Sequence, residues 1–428
     1  MVKSYILLSL GLLASATSFS QTLHKVENPE GRELRTLAIS PNGKYIAGSD
    51  FTEKRVFVCD WEKNQTTIGM GDLTLEANVT GVNDNGVAAG LSAGGAFTLA
   101  ADGTETYLSD NEVDGNTAHA ISNDGTLVVG STYANDGLMI QHACYWKNGE
   151  RVALPEPTSE EAGFTVNGTC ASYVSGDGSI ILGYIVDDLA SNPFLLWYLQ
   201  EDGTYKVDYS FVKENFEPGW GDKPYFMLMP SGISNNGKYL ALTTQANSSD
   251  LSVPYLIARY NLETKTLETM ELNAEAGIDE TSECAASSIA NDGTIVGSTG
   301  WTMGFGARRG IIWKTGEAKV SLLADAFKDV EGVADLDEIL CNTVTSISAD
   351  GRYIAGFTAN SASGSAYFSF VLDTKAASGI SSTVADKASR YDVYSVSGTL
   401  VSSSKGEPDL NSLKPGLYIV NGKKVAVK

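Results

Sequence analysis

Residues 119–131 read HAISNDGTLVVGS: an apolar run, an Asp-Gly pair, a second apolar run and a closing glycine. Asp-Gly and Asn-Gly favour the positive-φ turn whose twist matches that of a two-residue β-hairpin. The β-branched residues on either side suit extended strands. The same unit recurs as LAISPNGKYIAG, TGVNDNGVAAG, SYVSGDGSIILG, SGISNNGKYLAL, SSIANDGTIVGS and TSISADGRYIAG. Its turn glycines are Gly43, Gly86, Gly125, Gly178, Gly237, Gly293 and Gly351, spaced 39 to 59 residues apart. Asn or Asp always precedes that glycine, and Ile or Val always stands four residues before it. A closing glycine follows in six copies (Gly48, Gly90, Gly130, Gly183, Gly297 and Gly356), where it permits a bend or a close approach; Leu242 replaces it in the fifth.

Each unit is followed by a second hairpin whose first strand is aromatic or aliphatic, such as ACYWKNG (143–149), FLLWYLQEDG (194–203) or GIIWKTG (310–316). Four strands per repeat, seven repeats and few helical periodicities predict an all-β fold, a seven-bladed β-propeller. A β-solenoid is the runner-up, but its coils are shorter and more uniform. The seventh repeat supplies only three strands. Thr22–Val26 stands where a fourth strand would end a preceding blade, so the reading predicts that it pairs into the last blade and closes the ring. The organisation read from the sequence is a signal peptide over 1–20, a propeller over 21–375, a linker over 376–390 and a short C-terminal β tail over 391–428.

Two resemblances accompany this reading. The pattern AISNDGTLVVGS…HACYWKNG resembles the HAF-type extracellular repeats of bacterial exported proteins, over most of residues 36–373. The stretch YDVYSVSGTLV…LNSLKPGLYIVNGKKVAVK (391–428) is similar to the C-terminal sorting domain of the type IX secretion pathway of Bacteroidetes, with Leu413, Pro415-Gly416, Tyr418 and Lys424–Lys428 on its final motif. The family's leading strand, with its Asn-Pro pair, is replaced by AASGISSTVADKASR. The resemblances imply a bacteroidete origin and delivery to the outer surface or the medium.

Composition points the same way. The 428-residue chain carries a formal charge of -22, which opposes nucleic acid and anionic membranes as partners. MVKSYILLSLGLLASATSFSQ has one early lysine, an apolar run too short to span a bilayer and small residues at 18 and 20, the pattern of a secretory signal. No later segment has the length of a transmembrane helix, so a secreted or surface-exposed protein is expected. The five cysteines (Cys59, Cys144, Cys170, Cys284 and Cys341) are widely spaced, with no CxxC, and read as buried thiols. Cys284 and Cys341 precede equivalent turns and form the first pair to test.

Signals for chemistry are sparse. Of three histidines, His119 reads as a packing residue beside a turn. No GxSxG, HExxH or P-loop pattern occurs, and the Asx-rich turns read as hairpin chemistry rather than calcium loops. No cofactor and no metal are therefore expected. The long connections all fall on the face opposite the first-hairpin turns. They bring Trp220, Tyr225, Phe226, Trp301, Phe305, Arg308 and Arg309 to that face as candidate ligand contacts, since aromatic faces stack on sugars or anchor protein interfaces and arginines pair with anions. The opposing reading is that the loops fold onto themselves and cap the channel. The function expected is non-enzymatic binding of a glycan or a surface protein. The alternatives are a polysaccharide hydrolase or lyase on the same scaffold, or a structural surface protein.

Overall fold

The computed structural model describes residues 22–26, 33–50, 52–69, 78–92, 95–108, 115–133, 140–218, 221–248, 253–300, 308–333, 336, 341–359, 366–375, 391–395, 399–404, 413–420 and 423–427. The signal peptide and linker read from the sequence lie outside them.

The propeller occupies one compact unit, Gln21–Thr374. It holds seven antiparallel four-stranded sheets, six of them contiguous in sequence. Blade 3, for example, is Thr117–Ile121, Leu127–Tyr133, Gln141–Lys147 and Glu150–Ala153, from the inside out. Blade 7 is Cys341–Ile347, Tyr353–Ala359 and Ala366–Asp373, with Thr22–Val26 as its outermost strand. The closing strand pairs Thr22 with Asp373 through Val26 with Ser369, as the repeat count predicted. Its two sides serve different neighbours. Leu23 packs into the wedge between blades 6 and 7, whereas Val26 joins the wedge between blades 7 and 1 and His24 lies 5.0 Å from Trp61.

The innermost strand of each blade touches that of the next, and the seventh touches the first, so the ring is closed. Burial follows from this geometry. Alternating side chains of adjacent blades meet in seven separate apolar wedges instead of one central core. Between blades 3 and 4, Leu127, Val129 and Tyr145 face Ile181, Leu195 and Trp197. The Trp197 indole N–H, fully buried, donates to the Pro155 carbonyl at 2.7 Å. Three short α-helices (Ser159–Ala162, Ser210–Asn215 and Leu323–Ala326) sit in connections. Among the described residues no helix is long and apolar enough to cross a membrane.

The repeated turn is held by its own side chains. In blade 3 the Ser122 hydroxyl donates to Asp124 at 2.7 Å and accepts from the Leu127 N–H, while Asp124 also accepts from the Thr126 N–H. Blades 1, 4, 5 and 7 repeat this with Ser40, Ser175, Ser234 and Ser348. In these five blades the Asx side-chain oxygen thus accepts from turn donors. Neighbouring turns are also stitched together: Asn123 N–H bonds Gly176 O, Gly176 N–H bonds Asn235 O, Asn291 N–H bonds Ala349 O and Ala349 N–H bonds Pro41 O. Pro41 has no N–H to pass on, and there Asn42 N–H reaches the Asp84 carboxylate instead, at 2.7 Å.

The closing glycine has a specific cause. Every innermost strand carries a β-bulge at the same place, after Thr36, Val79, Ala118, Ala171, Pro230, Ala286 and Val344. In six blades the residue before the bulge pairs with the closing glycine, and the bulge turns a backbone carbonyl onto that glycine's Cα. A Cβ at Gly130 would lie on the Thr117 carbonyl oxygen. The fifth blade departs at both members of the pair, with Pro230 opposite Leu242.

The C-terminal tail is a separate four-stranded antiparallel sheet, in the order Leu400–Ser404, Tyr391–Ser395, Gly416–Val420, Lys423–Val427. Val393 is buried within it, while Leu400, Val401 and Leu417 are exposed.

Candidate functional site

The bulge decides what faces the channel. The bulged residues are Leu37, Thr80, His119, Ser172, Ser231, Ser287 and Thr345, and all seven line a cavity of about 490 Å³ on the ring axis. Six of the seven are polar. Two residues further on, on the same side of each strand, Ile39, Val82, Ile121, Val174, Ile233, Ile289 and Ile347 form a second, apolar ring. Pro41, Asn123, Asn235 and Ala349 of the stitched turns come next. The cavity is therefore layered: a girdle of hydroxyls and one imidazole, then an aliphatic collar, then a rim of turn backbone.

Some girdle hydroxyls brace the ring. Thr80 Oγ1 donates to Ala118 O of the next blade at 3.2 Å, and Thr345 Oγ1 donates to Thr36 O at 3.0 Å. The buried Ser346 hydroxyl, which also lines the cavity, has no protein partner. No Asp, Glu, Lys or Arg is among the described lining residues, although the chain as a whole carries a charge of -22.

His119 does more than pack. Its Nε2 lies 3.0 Å from Thr117 Oγ1, which is 2.8 Å from Ser131 Oγ. The imidazole lies near the thiol of Cys170, on the innermost strand of blade 4. The Ser172 hydroxyl donates to the same sulfur at 3.7 Å. Burial opposes charge on both members of the pair. The attraction between imidazolium and thiolate, with the hydroxyl donors, outweighs it, lowering the Cys170 thiol and raising His119. The neighbouring Tyr173 phenol is pushed up to about 12 by burial and by the nearby sulfur. Cys59, Cys144, Cys170 and Cys284 are all buried free thiols, as the wide spacing of the cysteines suggested. Burial pushes the Cys59 thiol up and carries Cys284 to about 12.

The candidates read from the loops fare unevenly. Trp220, Trp301 and Phe305 lie outside the described residues. Tyr225 packs against the wedge between blades 4 and 5, where burial raises its phenol. Phe226 is the bulged residue between Tyr225 and Met227 and is half-buried. The Arg308 carbonyl accepts from the Asn342 N–H of blade 7, while the Arg309 guanidinium reaches Gly277 in the connection between blades 5 and 6. The same face carries a pair the sequence did not single out. His142 Nδ1 lies 3.0 Å from Glu156, whose other oxygen accepts from the Thr169 hydroxyl and the Ala143 N–H. That carboxylate ties blade 3 to blade 4.

The girdle positions were missed although a signal existed: each lies six residues before its turn glycine, in phase with the repeat. Only the bulge reveals that this in-phase position, whose residue type varies, faces the channel.

No family model matches the chain, and no curated protein does. Solved structures are similar in fold. An oligogalacturonate lyase from Vibrio parahaemolyticus is 13% identical with a TM-score of 0.52, over 82% of this chain and 93% of that one. A β-propeller domain from Myceliophteria thermophila is 10% identical (TM-score 0.46, 84% and 97%), and virginiamycin B lyase from Staphylococcus aureus is 8% identical (TM-score 0.45, 82% and 99%). At such identities the likeness bears on fold alone.

Proposed function

We propose that this chain is an exported, non-enzymatic β-propeller that binds a neutral glycan, or a protein segment of similar polarity, in the channel on its ring axis. The observation that carries the reading is the layered, uncharged lining of the channel. A sugar presents hydroxyl edges and C–H faces, and a girdle of serine and threonine hydroxyls above an aliphatic collar offers both kinds of surface. A cavity of about 490 Å³ falls within the usual range for small-molecule sites. Acidic polysaccharides fit less well, because the described lining offers no arginine or lysine to pair with a uronate carboxylate. The polysaccharide-active alternative calls for paired carboxylates or a cation-assisted base, and the described lining offers neither. The signal-like N-terminus and the tail similar to a sorting domain support delivery to the cell surface or the medium.

The test is a glycan array spanning neutral and uronate-containing oligosaccharides. Ser231→Leu and Ser287→Leu, which fill the channel, should abolish binding of a neutral ligand. Trp220→Ala and Trp301→Ala report separately on the loops. Binding that survives both channel variants would overturn the site, and product release from a polysaccharide panel would overturn the non-enzymatic reading.

A further inference from the structure

The channel wall is not equivalent around the ring, because most of its hydroxyls are already engaged by the protein. Thr80 and Thr345 donate to carbonyls of the next blade, at 3.2 and 3.0 Å. Ser172 donates to the Cys170 sulfur, and Ser231 shares a hydrogen bond with Thr243 at 3.2 Å. Among the described residues, the serine and threonine side chains on the cavity wall without a protein partner are Ser287, Ser288 and Ser346. Ser287 and Ser288 lie on the innermost strand of blade 6 (Ala285–Ile289), and Ser346 on that of blade 7. Ser346 is only 7% exposed, and its hydroxyl has neither donor nor acceptor from the protein. A buried hydroxyl left unpaired is costly, so it points to a partner outside the chain. The aromatic side chains stand elsewhere. His119, Tyr173 and Tyr184 are the aromatic residues among the described lining residues, and they belong to blades 3 and 4. Blade 3 is three blades from both blade 6 and blade 7, as far apart as a ring of seven allows. The cavity thus sets free hydroxyls on one side against aromatic side chains on the other.

We propose that the channel is a pyranose site with two unlike walls: Ser287, Ser288 and Ser346 hydrogen-bond the hydroxyls on one edge of the sugar, and a C–H face of its ring packs toward His119, Tyr173 and Tyr184. The inference rests on the neutral-glycan reading above and gives that ligand an orientation. A serine hydroxyl donates one hydrogen bond and accepts two, which complements a sugar hydroxyl that does the same. Three such groups on adjacent blades can meet neighbouring hydroxyls of one ring. Aromatic side chains bury an apolar face opposite them without asking for a further hydrogen bond.

The experiment uses saturation-transfer NMR, with titration for affinity, on the folded full chain and the methyl pyranosides of glucose, galactose and mannose. At least one pyranoside is expected to bind, and irradiating aromatic protein resonances should saturate its ring C–H protons most strongly. Ser287→Ala and Ser346→Ala should each weaken it about threefold to tenfold, the loss of one hydrogen bond. Ser231→Ala should cost less, because Thr243 already shares that hydroxyl. Ser346→Ala removes a hydroxyl that no protein group uses, so its thermal midpoint should not fall and a loss of binding is not a loss of fold. Failure of every pyranoside to bind the wild-type chain overturns this inference and the neutral-glycan reading together, in favour of a protein segment. Binding that changes less than about twofold in both Ser287→Ala and Ser346→Ala, or that falls as far in Ser231→Ala as in Ser346→Ala, overturns the two-walled site and leaves the neutral-glycan reading standing.

Discussion

Gly130→Ala tests the coupling between the bulge and the closing glycine. In blade 3 the added methyl would lie on the Thr117 carbonyl oxygen and 3.1 Å from the Ala118 Cα. Both obstacles are backbone, so no side-chain rotation relieves them; the innermost strand must move. Overpacking usually costs about 1–3 kcal/mol, and a displaced backbone belongs at the upper end, about 3 kcal/mol. A propeller spanning Gln21–Thr374 should unfold with an entropy of about 0.7 kcal/mol/K at the usual ~2.1 cal/mol/K per residue, which turns that loss into a Tm drop of about 4 °C. Gly149→Ala is the control. Gly149 has φ 82° and nothing within 4 Å of an added Cβ, so only left-handed strain of about 1 kcal/mol applies, or about 1–2 °C. Urea titration and calorimetry of the two variants give the comparison. If Gly130→Ala proves as stable as Gly149→Ala, the closing glycine is not there to admit the carbonyl, and the argument fails.

Two further outcomes are expected. Leu23→Ala removes a buried side chain from the closing strand and should destabilise the propeller by about 2–5 kcal/mol, with faster hydrogen exchange across Ala366–Asp373; unchanged exchange there would argue against closure by this strand. The carboxyls of Asp124, bonded first by the Ser122 hydroxyl, and of Asp177, whose burial is outweighed by Ser175 and Ser179 donors, are held below the ordinary Asp value. A folded pKa below the unfolded one adds stability that is complete above the unfolded value and is lost as pH falls through the folded one. Urea midpoints should therefore fall on acidification below about pH 4, and the double variant Asp124→Asn, Asp177→Asn should flatten that acid limb. An identical limb in the variant would show that these turns are not its source.

What the sequence determined by itself is everything encoded within a dozen residues. Asn/Asp-Gly turns, β-branched flanks and the Ile or Val four positions before each turn glycine specify a hairpin without reference to the rest of the chain. Seven copies, with one strand missing at the end and one spare at the start, specify a closed ring. The closing glycines were legible as close-approach positions, but the atom they approach was not.

The candidate site was far less legible. The loop residues were chosen for residue type and face; in the structure Tyr225 packs against the wedge between blades 4 and 5, the Arg308 carbonyl accepts from the Asn342 N–H, and the Arg309 guanidinium lies near Gly277. The girdle depends on a one-residue register shift, and a shift of one exchanges the two faces of a strand. His119 and Cys170 belong to different repeats and meet only because adjacent innermost strands touch around the axis. Local turn chemistry is written in consecutive residues. Which side chains share a channel, and which thiol meets which imidazole, is set by the closure of the ring, and only the tertiary structure decided it.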